Sequence, residues 1–413
     1  MSITRRRFLK VSLGGGALLA SASSVPAFLL RRAASAAAVD ANCGQRVLVV
    51  VQLSGGNDGL NTVVPYADDE YARNRPTLRL PVEQLHKIDL QLGFHPRMEA
   101  FSKLYKEGLL SVVQGVGCEN LSRDHDAAMR VWHAATPDGA SCPTGWLGRA
   151  ADSVWDPDEG RITVAFVGAI KQPFAMNAVR VVVPSIRAAE DLTLDAMPGQ
   201  SRRAPEPTRS DGADPLLAFV RNGIRRSSAN SRKIQAAAAS TAGRSAYPGF
   251  GLAAHLRVIA QLIRAEVGIR VFLTELGGGG IGGFDNHANQ LGNHCALLHQ
   301  LSESIAAFVN DLRRDALLDR VALMTFSEFG RTVKENGRRG TGHGNAAPVF
   351  LSGGKLKGGL VGPHPSLTDL DDGALKCHTD FRRVYATVLD RWLGFDGTKT
   401  LGGRFDALDV FDV

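Results

Sequence analysis

The chain has 413 residues, 44% hydrophobic and 22% charged, an ordinary globular composition with enough apolar material for a large core. Six of its seven net positive charges lie within residues 1–38, which carry no acid; residues 39–413 are close to neutral, and this excludes nucleic-acid binding. The five cysteines are scattered with no CxxC pair, which excludes a zinc knuckle; in an oxidising compartment Cys118 and Cys142 are the expected bridge.

Thr4-Arg5-Arg6-Arg7-Phe8-Leu9-Lys10 reads as a twin-arginine export signal. A weakly apolar stretch from Val11 to Leu30 follows, then a small-residue cleavage site at Ala36-Ala37-Ala38. Gly14-Gly15-Gly16, the serines around Ser23 and Pro26 dilute its hydrophobicity. No later segment supplies about 18 uninterrupted apolar residues, so no stable membrane span is expected. The implied address is periplasmic or secreted, with the twin-arginine translocase as a partner during export.

Arg46 to Leu53 is a continuous β-branched run, the pattern of a strand buried on both faces. It enters the glycine-rich loop Ser54–Gly59. A helix is predicted from Pro96 to Glu107, a strand from Leu109 to Val116, and a helix from Ser122 to Ala135. Strands are predicted at 162–167 and 179–183. Residues 187–249 are linker-like and then alanine-rich, and read as a helical insertion. Alternation resumes with a helix at 252–266, a strand at 268–274, the glycine-rich loop 277–283 and a long helix at 287–315. On that helix Leu298, Leu301, Ile305, Phe308 and Leu312 form one apolar stripe. Strands at 320–326 and 348–351 and a helix at 380–393 complete the chain. This alternation predicts an α/β fold, a layered α/β/α domain over 39–413 with a mainly parallel central sheet.

In such sheets the C-terminal strand ends share one edge, where ligands bind. Asp58 follows the first strand, Ser122 and His125 lie beyond the second, and Asp285 and His287 follow the strand at 268–274. Glu328 and Arg331 follow the strand at 320–326, with His343 in the loop beyond. A donor set of Asp, Glu and His without thiolate suits one divalent ion, Zn²⁺ or Mn²⁺, with Mg²⁺ and Ca²⁺ also accommodated. Plainer roles stay open: a turn for Asp58, an N-cap for Ser122 or Asp285, a surface ion pair for Glu328 with Arg331. His294 lies on the apolar stripe and reads as a core histidine. No GxGxxG, GxxxxGK[ST] or GxSxG motif stands in the right context, which counts against nucleotide-binding and α/β-hydrolase folds.

Several segments together resemble the exported bacterial "domain of unknown function 1501" family. They are Leu53 to Thr62, Ser122-Arg123-Asp124-His125, Gly145 to Arg149, Gly283 to Gln290, Thr325 to Arg331 and Gly340 to Pro348. That family in turn resembles a divergent branch of the alkaline phosphatase and sulfatase-like superfamily. The resemblance implies an alkaline phosphatase-like fold, with Asp58, Asp285, His287, Glu328 and His343 as metal ligands and Ser122 in the nucleophile's place. For the chemistry itself, Arg123 or Arg331 is expected to bind the anion and His125 or His343 to assist proton transfer. Phe329 stands where the superfamily has a histidine ligand, and Asn289 occupies the spaced position beyond Asp285. Both departures imply one ion rather than two.

The expected function is hydrolysis of phosphate or sulfate esters, small or polymeric. The alternative is a non-catalytic exported binding or cell-surface assembly protein on a degenerate site. Export is expected to fail when both Arg5 and Arg6, or both Arg6 and Arg7, are replaced by lysine. Fractionation of cells tests this, and unchanged delivery of both variants would discard the address.

Overall fold

The computed structural model describes residues 45–136, 141–155, 163–187, 246–277 and 283–413. The export signal at 1–38 lies outside these residues, as do residues 188–245 of the proposed insertion.

The first strand, β1 (Val47–Leu53), is buried along its whole length. Val49, Val51 and Leu53 enter one hydrophobic core, and Leu48 and Val50 enter another on the opposite face. A strand apolar on both faces is stable only between two covering layers. The remaining strands of its sheet are β2 (Leu110–Gly117), β3 (Val164–Val167), β4 (Ser185–Ile186), β5 (Val271–Leu276), β6 (Val321–Phe326), β7 (Ala347–Gly353), β8 (Gly359–Val361) and β9 (Thr379–Asp380). Their order is β8-β2-β7-β6-β1-β5-β3-β4, with β9 against β2. All pairings are parallel except those of β7, which is antiparallel to both β2 and β6.

Among the described residues the α-helices are α1 (Asp69–Asn74), α2 (Glu99–Lys106), α3 (His125–Ala134), α4 (Trp146–Ser153), α5 (Gly251–Arg264), α6 (Gln290–Arg314), α7 (Phe381–Ala386) and α8 (Gly397–Leu401). A wider π-helical segment, Thr387–Leu393, continues α7. Helices α2, α5 and α6 pack on the core of Val49 and Val51, whereas α3, α4 and α7 pack on that of Leu48 and Val50. The protein is therefore a layered α/β/α domain with a mostly parallel sheet. The predicted stripe on α6 is buried at all five positions.

The segment 179–183 is not a strand. The carboxylate of Asp152 accepts the backbone N–H groups of Val179, Arg180 and Val181, which removes them from any ladder, and pairing begins only at β4. The short strand predicted at 348–351 is longer than expected. A hairpin of Arg331–Glu335 with Thr341–His343 was not anticipated. The four described cysteines are free thiols, including Cys118 and Cys142. The Cys142 sulfur instead lies against Arg149 Nη1, 3.3 Å away, and Thr144. Among the described residues no helix is long and apolar enough to cross a membrane.

Trp146 is fully buried and stacks on Tyr385 with ring centroids 4.1 Å apart. Trp146→Ala is expected to cost about 3–5 kcal/mol of stability, read by denaturant unfolding.

Candidate functional site

Parallel neighbours β5, β1 and β6 end on one edge, and the loops that follow them deliver Gly55–Asp58, Phe284–His287 and Ser327–Phe329 to that edge. The hairpin after β6 adds Arg331 and His343, which are paired across its two strands. His125 is the first residue of α3, beyond β2. The cap of α3 is Asp124, whose carboxylate accepts the Ala127 N–H at 2.9 Å. Ser122 is exposed, and its Oγ accepts the Asp124 N–H at 3.1 Å. The N-cap role expected for Ser122 thus belongs to Asp124, which has the more basic acceptor.

Three imidazoles converge on one carboxylate oxygen. Asp285 Oδ1 lies 2.9 Å from His287 Nε2, 3.3 Å from His343 Nε2 and 3.4 Å from His125 Nε2. His287 Nε2 and His343 Nε2 are 2.9 Å apart. In a tetrahedral shell with metal–nitrogen bonds of about 2.0–2.1 Å, neighbouring donors stand about 3.3–3.4 Å apart. The donor atoms of His125, Asp285 and His343 all lie within 4.8 Å of one another, and His287 touches Asp285 and His343; all four side chains are partly exposed.

The orientation of His125 comes from Glu328. His125 Nδ1 is 2.9 Å from Glu328 Oε1, and Glu328 is almost fully buried. An ionised carboxylate only accepts, so Nδ1 carries the proton and Nε2 keeps its lone pair in the neutral ring. That Nε2 is buried and has no hydrogen-bond partner. An orphaned nitrogen lone pair 3.4 Å from the Asp285 carboxylate and beside the His343 ring fits a cation. Glu328 itself also accepts the Gly55 N–H at 2.8 Å; the Ser327 hydroxyl, whose one proton has a nearer acceptor in Leu53 O at 2.7 Å, lies 3.1 Å from its Oε2. Glu328 sits behind His125, whose ring it orients, and does not join Asp285, His287 and His343. The hydrogen bond to Glu328 raises the His125 pKa, outweighing burial, which acts the other way. Burial lowers that of His287. Burial alone would push the Asp285 carboxyl up, but Arg331, His287 and His125 together hold it below its ordinary value.

Arg331 is a buried clamp. Its Nε donates to Gly56 O at 2.7 Å, Nη1 to Thr341 O at 3.3 Å, and Nη2 to Phe284 O, Gly55 O and Asp285 Oδ1. These donors face protein carbonyls rather than the opening of the site. Phe329 is fully buried; its ring stacks on His343 at 4.7 Å and lies 4.9 Å from His125, forming an apolar wall.

Asp58 lies apart from this cluster. Arg75, itself fully buried, binds both its oxygens, at 2.6 and 3.0 Å, and Gln290 Nε2 donates to Oδ2. Arg75 also donates to the carbonyls of Thr332 and Val333, and Thr341 Oγ1 to Gln290 Oε1. Both Asp58 oxygens are thereby satisfied without a metal. Sequence reasoning missed Arg75 and gave no role to Gln290 or to Ser327, although both lie in the segments it singled out. Arg75 sits in a polar stretch with no local pattern; Ser327, adjacent to Glu328, was legible. His294 is the core histidine expected: its Nε2 is 3.1 Å from Asn57 Oδ1, and burial brings its pKa down to about 4.

Residues 111–405, more than half of the chain, match the family described as "Protein of unknown function (DUF1501)". No curated protein matches the sequence. Among solved structures, the C-terminal periplasmic domain of EcEptC from Escherichia coli is 10% identical, covers 88% of each chain and has a TM-score of 0.40. The lipoteichoic acid synthase LtaP from Listeria monocytogenes is 12% identical over 86% of this chain and 76% of its own, with a TM-score of 0.39. A protein in the alkaline phosphatase superfamily from Vibrio parahaemolyticus is 9% identical over 87% and 69%, with a TM-score of 0.37. At such scores the likeness says nothing of the chemistry at this site.

Burial alone would raise the Asp58 pKa, but Arg75 overrides it and brings the value from 3.8 to about 2. The ionised carboxylate therefore stabilises the fold fully above about pH 4, and this contribution is lost as the pH falls towards 2. Asp58→Asn leaves the Arg75 charge buried without its partner. It is expected to cost about 3–5 kcal/mol at pH 7 and to flatten the acid limb of stability against pH, measured by urea unfolding across pH.

Proposed function

Starting from the DUF1501 family, to which the chain belongs, we propose that the protein is a metal-dependent hydrolase of phosphate or sulfate esters, holding one divalent ion through His125, Asp285 and His343, with His287, which touches Asp285 and His343, as a fourth donor. The observation that carries this reading is the buried, partnerless Nε2 of His125, grouped with a nitrogen of His343 and a carboxylate oxygen of Asp285. Three imidazoles and one carboxylate favour Zn²⁺ or Mn²⁺ over Mg²⁺ or Ca²⁺, which take mainly oxygen. When bound, the ion supplies a Lewis acid for an ester oxygen and a lowered pKa for a hydroxyl or water.

The chain's own residues divide the remaining work. Glu328 fixes the tautomer and plane of His125. Arg331 fixes Asp285 and balances its charge. Phe329 keeps water from the rear of His125 and His343. Ser122 is the proposed nucleophile: its exposed hydroxyl is three residues before His125, and its hold on the Asp124 N–H is a single local bond that rotation about χ1 would break. The reading includes export by the twin-arginine pathway, which the Thr4–Lys10 segment supports.

One observation favours the non-catalytic alternative. Four protein donors are enough to fill a tetrahedral shell, the mark of a structural site rather than a catalytic one. Metal content and turnover separate the two. Purified protein is expected to hold about one ion per chain by elemental analysis. His287→Ala, His343→Ala and Asp285→Ala should each lower occupancy. Ser122→Asn should melt near wild type, because Asp124 still caps α3, and should lose ester hydrolysis by several orders of magnitude. Wild-type protein that holds its ion but turns over no phosphate or sulfate ester would transfer the site to the binding role. Protein that holds no ion, and is not stabilised by added Zn²⁺ or Mn²⁺, would end both.

A further inference from the structure

The hairpin that carries His343 turns through Asn336-Gly337-Arg338-Arg339-Gly340, and three of its cations face solvent: Lys334, Arg338 and Arg339. Among the described residues none of the three makes an ion pair. The one acid of the hairpin, Glu335, is turned away from them: its carboxylate accepts the N–H groups of Thr77 and Leu78 and the Thr77 hydroxyl. Three like charges so close together repel one another and bring the fold no pairing in return.

The backbone of the turn holds those charges beside the candidate site. Arg338 O accepts the Asn289 N–H at 3.0 Å, and Arg339 O the Gln290 N–H at 2.9 Å. Asn336 Nδ2 donates to His287 O at 3.0 Å. Gly340 packs so tightly on the same segment that a Cβ there would meet the His287 carbonyl carbon at 2.2 Å. Arg339 is held at φ +58°, the left-handed region where glycine or asparagine is the usual occupant. A bulky cation kept in a strained position, next to a second cation and on a turn bonded to the backbone of the His287–Gln290 segment, points to use.

We infer that Lys334, Arg338 and Arg339 form a docking rim for a polyanionic chain, one that bears phosphate or sulfate groups at intervals and presents one of them to the His125–Asp285–His287–His343 cluster. The inference rests on the proposed function for its choice of ester, but binding at the rim does not require turnover. A small monoester spans only the cluster. A polymer also places charges on the rim, where guanidinium groups meet phosphate or sulfate oxygens in a forked geometry.

The test is equilibrium binding of the full chain to inorganic polyphosphate and to dextran sulfate, at low and raised salt. At least one is expected to bind, with affinity falling as salt rises. Which polymer binds more tightly assigns the anion. The triple variant Lys334→Ala/Arg338→Ala/Arg339→Ala should weaken that binding by about tenfold or more, at roughly two- to fivefold per exposed charge. Its turnover of a small chromogenic ester should equal that of wild type. Lys103→Ala with Arg313→Ala, on the outer faces of α2 and α6, should leave polymer binding unchanged. Arg339→Gly should weaken binding while melting no lower than wild type, a combination that a damaged fold cannot give. Unchanged binding by the triple variant, equal loss in the Lys103/Arg313 pair, or no binding of either polymer by wild type at low salt would each overturn the rim. Rim-dependent binding by a wild type that cleaves no ester would instead refute the hydrolase reading and leave the rim standing.

Discussion

A guanidinium cannot be buried unless its charge is balanced and its donors are met, and Arg331 meets this constraint by drawing three loops onto itself. It binds the carbonyls of Gly55 and Gly56 after β1, Phe284 after β5 and Thr341 in the hairpin after β6, and it takes Asp285 as counter-ion. The position of Asp285 Oδ1, on which three imidazoles converge, is therefore a consequence of charge balance in the interior. A second buried guanidinium, Arg75, does the same for Asp58 and for the carbonyls of Thr332 and Val333. Two internal cations thus hold together the edge of a sheet whose strands contribute no polar side chain of their own to the cluster.

Close backbone approach lets these bonds form. Gly56 lies at φ +76°, and a Cβ there would meet the Phe329 ring at 2.4 Å. Phe329 then fills the space behind His343 and His125. An aromatic ring in that place removes a possible donor but fixes the rotamers of two others. Rigid support of this kind would serve the proposed ion, because donors that reorganise on binding give up affinity.

The site also distributes its titratable groups unevenly. Histidines behind the edge, His95, His133 and His294, are kept neutral by burial, with pKa values brought down to about 3, 3 and 4. His125 alone is pushed up, because Glu328 favours its protonated form. The same low-polarity interior that silences three imidazoles makes the Glu328–His125 contact strong, since an interaction between charge and dipole grows as water is excluded.

The sequence by itself determined the layers. A β-branched run at 47–53 can be stable only with both faces covered, and a 3.6-residue stripe at 298–312 can only face a core, so period and composition were sufficient for β1, α6 and the α/β/α order. It also placed His125, Asp285, His287 and His343 on one edge, because chain direction fixes which strand ends are neighbours in a parallel sheet. Tertiary structure decided the rest. Whether Asp58 faces a metal or a guanidinium depends on Arg75, 17 residues away in a stretch with no periodic signal. Whether Glu328 joins the cluster or stands behind His125 depends on a rotamer set by the Gly55 N–H and the His125 ring. Asp124 takes the cap of α3 from Ser122, and Asp152 removes 179–183 from the sheet, through carboxylates competing for particular N–H groups. Periodicity records which face of an element is dry. A polar side chain chooses its partner by geometry at the scale of an ångström, and that geometry exists only once the layers have packed.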